Sequence, residues 1–93
     1  MLSAQQEILI KETLRKYEPS LVGIFGSYAR NEQTSLSDID ILVDFHHQIN
    51  LLDLIGLEQE LSEQLGIKVD LVTLRSINEQ LKPYIQQDLI RIM

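Results

Sequence analysis

The sequence predicts an α/β or α+β fold: a small mixed sheet with helices packed on it, organised as one domain over residues 1–93. Three short apolar runs rich in β-branched residues, Leu21–Phe25, Ile39–Phe45 and Ile67–Thr73, read as strands. Between and around them lie stretches with apolar residues at helical spacing, each bounded by capping residues. Alternation of the two patterns at this length makes a sandwich of one sheet and a few helices the economical solution. A chain of 93 residues buries only somewhat over ~60 % of its unfolded surface, so the core is modest and a partner can add to its stability.

The elements follow in order. Ser3 and Gln6 form a capping box, and Ile10, Leu14 and Tyr17 fall on one helical stripe until Pro19 stops the helix. Strand one runs over about Ser20–Phe25, and a strand-to-helix turn at Gly26-Ser27 opens a short helical segment. Strand two covers about Asp38–Phe45. Asn50 caps a helix in which Leu54, Leu57, Leu61 and Leu65 share a face, with Glu58, Glu60 and Glu63 mostly outside and Gly66 as terminator. Strand three is Ile67–Thr73. Ser76 and Glu79 form a second capping box, and Pro83 starts a terminal helix through about Arg91.

Chemistry is concentrated where the first two strands meet. In an extended strand residues i and i+2 face the same way, so Asp38 and Asp40 project side by side, about 6.5–7 Å apart along the strand. They interrupt an otherwise apolar segment, Ile39, Ile41, Leu42, Val43 and Phe45, and repel each other unless a cation lies between them. Oxygen ligands of this kind suit Mg²⁺ together with the phosphates of a substrate. Gly26 lets the backbone approach a ligand closely, and free N–H groups at the turn, with Ser27, point at an anion. Strand, turn and acidic strand together are built to hold a nucleoside triphosphate. The competing reading is a glycine turn followed by two solvated aspartates on an edge strand.

Other residues carry weaker signals. Arg30, one short turn after Ser27, is within reach of a β- or γ-phosphate or is simply solvated. Asp44 shares the face of Asp38 and Asp40 but lies further along, as a structural carboxylate at the strand end. Adjacent His46 and His47 point to opposite faces of an extended segment and read as loop residues rather than ligands. Tyr28 and Tyr84 fit packing better than stacking on a base. Asp70 alternates with Val69 and Leu71 and shares a face with Lys68 and Val72, where a carboxylate needs a reason; the bland one is a charge that discourages edge-to-edge pairing.

Composition narrows the classes. Fourteen acidic against eight basic residues give a net charge of −6, which argues against direct nucleic-acid binding and favours a basic protein partner. It also requires divalent cations to mask a bound triphosphate. No cysteine is present, which excludes disulfides, thiolate zinc sites and cysteine nucleophiles. With neither a leader pattern nor a long apolar span, a cytoplasmic location without membrane attachment is expected.

Four stretches, Gly26-Ser27-Tyr28-Ala29-Arg30, Ser37-Asp38-Ile39-Asp40 through Phe45, Leu65-Gly66 through Thr73, and Leu81-Lys82-Pro83-Tyr84-Ile85, resemble the minimal nucleotidyltransferase (MNT) family of the DNA polymerase β superfamily. Within it the chain is most similar to the MntA-like antitoxins paired with HEPN-domain toxins. Asn31 stands where many relatives have Gly, a replacement that tolerates a left-handed backbone, and a proline common in the family is missing from Gln33-Thr34-Ser35-Leu36. The resemblance implies a polymerase β-like fold and Mg²⁺, two ions at full occupancy, on Asp38, Asp40 and Asp70. Asp70 then also assists in taking the proton from the attacking hydroxyl, and Lys82 lies near the nucleotide. It further implies transfer of AMP from ATP to a tyrosine of a cognate HEPN ribonuclease toxin, which would install negative charge where RNA must approach. Two alternatives stand beside this: an acidic antitoxin that neutralises its partner by occlusion alone, and a small-molecule transferase of the aminoglycoside-modifying kind, which needs an acceptor pocket the sequence does not display.

Overall fold

A computed structural model describes residues 2–93. Helix α1 spans Ala4–Leu14, strand β1 Pro19–Phe25, strand β2 Ile39–Phe45 and helix α2 Leu51–Leu65; strand β3 is Val69–Thr73, helix α3 Lys82–Asp88 and strand β4 Ile90–Arg91. The four strands form one sheet in the order β3-β2-β1-β4. β1 is antiparallel to both β2 and β4, whereas β3 runs parallel to β2, making the sheet mixed as the sequence led us to expect.

Local chemistry explains the element ends. At α1 the capping box forms, with the Gln6 N–H donating to Ser3 Oγ at 3.1 Å and the Ser3 N–H to Gln6 Oε1 at 2.8 Å. A tighter turn continues through Tyr17, and Glu18 at φ 54° reverses the chain into Pro19. Asn50 Oδ1 accepts from the Asp53 N–H at 2.8 Å to open α2, and Gly66 at φ 68° closes it in the left-handed conformation that glycine adopts without strain.

Both faces of the sheet are occupied, and differently. Val22 and Ile24 of β1, Ile39, Ile41 and Val43 of β2, and Val69 and Leu71 of β3 share one cluster with Ile10 and Leu14 of α1 and Leu57 and Leu61 of α2. The T-shaped pair of Tyr17 and Phe45, 6.4 Å between centroids, closes one end. On the opposite face stand Gly23, Phe25, Asp40, Asp70 and Val72. There the chain from Ser76 to Leu89 lies beside the strands, with Leu89 so close over Gly23 that a Cβ on Gly23 would fall 2.5 Å from Leu89 Cδ1.

Three expectations need correction. The terminal helix stops at Asp88 instead of reaching Arg91, because Leu89 turns extended and Ile90–Arg91 pairs with the open edge of β1. Ile92 donates to the Val22 carbonyl at 2.8 Å, an edge bond that a helix could not supply. The second capping box does not form. Ser76 Oγ instead donates to the Thr73 carbonyl at 3.0 Å, and Asn78 Oδ1 takes the Gln80 N–H at 2.9 Å, a local side-chain bond outcompeting the helix start. The segment after Gly26 is a run of turns rather than a helix: Arg30 N–H reaches the Gly26 carbonyl at 3.1 Å, then Asn31 at φ 58° ends it.

Among the described residues no helix is long and apolar enough to cross a membrane. Leu61 is fully buried between α2 and the sheet. Leu61→Ala should cost about 2–5 kcal/mol of stability, read as a lower urea midpoint with unchanged slope.

Candidate active site

The acidic face of the sheet is assembled by strand pairing. In the parallel ladder Asp40 is the register partner of Asp70, so two carboxylates from different strands stand side by side on the same face. Each is pinned by its neighbours. Ile39 and Ile41 are fully buried on the other face, as are Val69 and, nearly so, Leu71, which leaves Asp40 and Asp70 no choice of direction. Asp38 precedes β2 by one residue and carries its carboxylate 3.8 Å from Lys68 Nζ.

The electrostatic consequence falls on Asp40. Its pKa is raised from the ordinary carboxylate value to about 6, first by burial and then by the negative charges of Asp70 and Asp38 and a hydrogen bond with Asp70; the Arg30 cation partly offsets this. A carboxyl group held this way is short of positive charge. As the side chains stand, no three acidic or histidine groups among the described residues close around one point. The donor set nevertheless suits a hard divalent cation, with oxygen donors only and mutual repulsion that a cation relieves.

Above Asp40 lies the Gly26 turn. Phe25 pairs with Asp40 across the β1–β2 ladder, and Gly26 follows at φ 75°. A side chain on Gly26 would collide with Asp40 Oδ2. Glycine is therefore required twice at this position, for its backbone conformation and for the carboxylate beneath it. Since 26–31 are turns, any anion here meets backbone N–H groups of the turn rather than the dipole of an extended helix. Ser27 is half-buried beside it.

Arg30 is placed within electrostatic range of Asp40 but is engaged elsewhere: Nη1 bonds Asp88 Oδ2 at 2.5 Å and Nε lies 3.4 Å from Glu32. These partners raise its already high pKa. Lys82 pairs with Glu79 at 3.0 Å, and Asp44 with Arg75 at 3.4 Å, away from the other acids. His47 lies 3.4 Å from Glu18 in an exposed loop. Tyr28 is buried in the core, whereas Tyr84 is exposed.

Beside the paired acids opens a groove of about 530 Å³, whose walls include Phe25, Val72, Leu81 and Ile85, with Asp40 and Asp70 on its floor. Two polar residues of this region escaped sequence reasoning. Glu58, expected to face outward, instead accepts the Leu71 N–H at 2.8 Å, and Ser62 Oγ accepts the Val69 N–H at 3.0 Å. Their i, i+4 spacing on the flank of the Leu57–Leu61 stripe was the available signal.

Comparison with known proteins places this geometry. The family model described as polymerase beta, nucleotidyltransferase matches residues 9–93. A Methanocaldococcus jannaschii protein whose name, protein adenylyltransferase, is itself provisional is 55 % identical, covering 98 % of this chain and 97 % of its own. Protein adenylyltransferase MntA of Thermococcus cleftensis is 37 % identical over 88 % of this chain and 83 % of its own. Among solved structures, a toxin–antitoxin crystallised with AMP-PNP superposes with a TM-score of 0.84 at 29 % identity, covering 98 % of this chain and 73 % of that one. A tri-AMPylated Shewanella oneidensis HEPN toxin in complex with MNT antitoxin matches with a TM-score of 0.79 at 28 % identity, over 96 % of this chain and 70 % of that one. With a glycine turn over paired aspartates on adjacent parallel strands, and with this extent of likeness, the chain belongs to the polymerase β nucleotidyltransferase family.

Proposed function

We propose that this chain, residues 1–93 acting as one nucleotidyltransferase domain in the cytoplasm, is a Mg²⁺-dependent protein adenylyltransferase. It transfers AMP from ATP to a tyrosine hydroxyl of a HEPN-type toxin and thereby acts as an antitoxin. The observation that carries this reading is the pairing of Asp40 with Asp70 under the Gly26 turn. Support comes from the names of the relatives, protein adenylyltransferases, and from the AMP-PNP and AMPylated-toxin complexes among the structural neighbours.

In this reading Asp38, Asp40 and Asp70 would hold the metal, with two ions the full complement, and Asp38 is paired only loosely with Lys68, at 3.8 Å. Bound there, Mg²⁺ would neutralise the triphosphate and stabilise charge on the attacking and leaving oxygens. The turn at Gly26 and Ser27 binds the triphosphate through backbone N–H groups and the serine hydroxyl. Arg30 exchanges Asp88 for a phosphate oxygen, which needs only a side-chain rotation at an exposed site. The tyrosine oxygen forms a bond to the α-phosphorus while the bond from that phosphorus to the bridging oxygen breaks, and pyrophosphate departs. Asp70 receives the hydroxyl proton, a role open to a carboxylate that lines the groove beside Asp40. Positioning and charge stabilisation supply most of the rate.

With purified partner toxin, ATP and Mg²⁺, intact-mass spectrometry should show the toxin gaining whole AMP units on tyrosine, and Asp38→Asn should abolish the gain while circular dichroism stays unchanged. Neutralisation of the toxin by a stoichiometric complex without added mass, performed equally well by Asp38→Asn, would establish occlusion instead.

Gly26→Ala should lose at least tenfold in transfer rate and about 1–2 kcal/mol of stability, because the added Cβ sits in a left-handed conformation and displaces Asp40. Paired rate and denaturation measurements check both numbers.

A pH dependence follows from Asp40. Its folded-state pKa, about 6, exceeds the unfolded value, so its contribution to stability is fully present below about pH 4 and is lost as pH rises through 6. Thermal melts should therefore show Asp40→Asn more stable than the parent at pH 8 by a larger margin than at pH 4.5. Added Mg²⁺ should raise the parent's Tm more at pH 8 than at pH 4.5, where Asp40 is protonated and is a poor cation ligand.

A further inference from the structure

Strand β3 is an edge of the sheet, with β2 on one side only. In a parallel ladder alternate residues bond to alternate sides, and here Ile39 donates to the Lys68 carbonyl at 2.9 Å while the N–H groups of Val69 and Leu71 point away from β2. Those two groups flank Asp70. Left to water they would make this edge of the sheet prone to fray. They are instead taken by side chains of α2, Val69 by Ser62 Oγ at 3.0 Å and Leu71 by Glu58 Oε2 at 2.8 Å.

The match is metric as well as chemical. Residues four apart on a helix are separated by about 6 Å along the axis, and alternate residues of a strand by about 6.6–6.8 Å. Acceptors at 58 and 62 thus meet donors at 71 and 69 with both elements regular and the chains running in opposite directions. The acceptors are themselves oriented. Ser62 Oγ donates its own proton to the Glu58 carbonyl at 2.8 Å, leaving lone pairs for Val69, and Leu57 and Leu61 on the same helix are buried in the core. A bond from a charged carboxylate to a backbone N–H in a half-buried setting is among the stronger hydrogen bonds of the molecule.

We propose that Glu58 and Ser62 are positioning residues for Asp70: by clamping the edge N–H on either side of it, they hold the Asp70 carboxylate beside Asp40 in the geometry that transfer requires. The inference rests on the reading of Asp70 as a residue of the reaction centre. Neither side chain bonds the Asp70 carboxylate, so the effect is transmitted through the strand. What the clamp resists is repulsion between two like charges, which otherwise pushes the edge strand outward. Glu58 also borders the groove beside the acids, so its role must be separated from a direct electrostatic one.

The test compares Glu58→Ala, Glu58→Gln, Ser62→Ala and Asp70→Asn in AMP transfer to the cognate toxin, with ATP·Mg²⁺ affinity by calorimetry and amide hydrogen exchange at Val69 and Leu71. Glu58→Ala and Ser62→Ala should each lower kcat about tenfold with KM for ATP within twofold, and should speed exchange at Leu71 and Val69 respectively. Glu58→Gln, whose amide oxygen still accepts the Leu71 N–H, should recover most of the lost kcat. Unchanged kcat in Glu58→Ala despite faster exchange at Leu71 overturns the proposal, as does a Glu58→Gln variant as slow as Glu58→Ala, which would assign the effect to charge. If Glu58→Ala does not fold, Ser62→Ala and Glu58→Gln still decide between these outcomes. Asp70→Asn with undiminished kcat would instead remove the underlying reading, independently of the clamp.

Discussion

The parallel pairing of β2 with β3 is the constraint on which everything else depends. It sets Asp40 opposite Asp70, an arrangement that each carboxylate by itself resists. It persists because the alternate residues cannot move. Ile39, Ile41, Val69 and Leu71 are buried against α1 and α2, each contributing about 1.5–3 kcal/mol, and turning either aspartate away would bring its apolar neighbours into water. Packing on one face thus supplies the free energy that holds a repelling cluster on the other.

That division of labour explains why the two faces of the sheet look so unlike. One is covered by two helices and carries the core. The other is covered incompletely by the chain from Ser76 to Leu89, which leaves a groove open over the acids while still shielding Asp40 enough to raise its pKa to about 6. A fully covered face would leave no groove over the acids, and a fully open one would solvate the carboxylates and let Asp40 return toward an ordinary carboxylate pKa. Leu89 over Gly23 and β4 along β1 fasten the far end of this partial cover.

Small size makes each local device count. With 93 residues there is little core to spare, and the edge of β3 is closed by side chains from α2 rather than by another strand. Gly26 illustrates the same economy, since one residue satisfies the turn and clears the space for Asp40. Exposed apolar side chains at Leu51, Leu52, Leu81 and Tyr84 show how much surface remains for a partner to cover.

The sequence by itself determined the pieces whose physics is local. Short apolar runs rich in β-branched residues gave β1, β2 and β3 within two residues of their ends, Ser3, Asn50 and Gly66 marked helix boundaries by bonds within four residues, and Asp38, Asp40, Asp70 and Gly26 stood out because polar or flexible residues interrupt apolar runs. What failed, failed where distant partners compete with local preference. Ile90–Arg91 became a strand because the open edge of β1 offered hydrogen bonds that no terminal helix could match, and Ser76 turned back to Thr73 instead of capping a helix. Glu58 and Ser62 reached Leu71 and Val69, and Arg30 reached Asp88, 58 residues away. Strand order and register, which place Asp40 beside Asp70 and not beside Lys68 or Val72, belong to the tertiary structure alone, because they are decided by which buried faces pack together and no single segment contains that information.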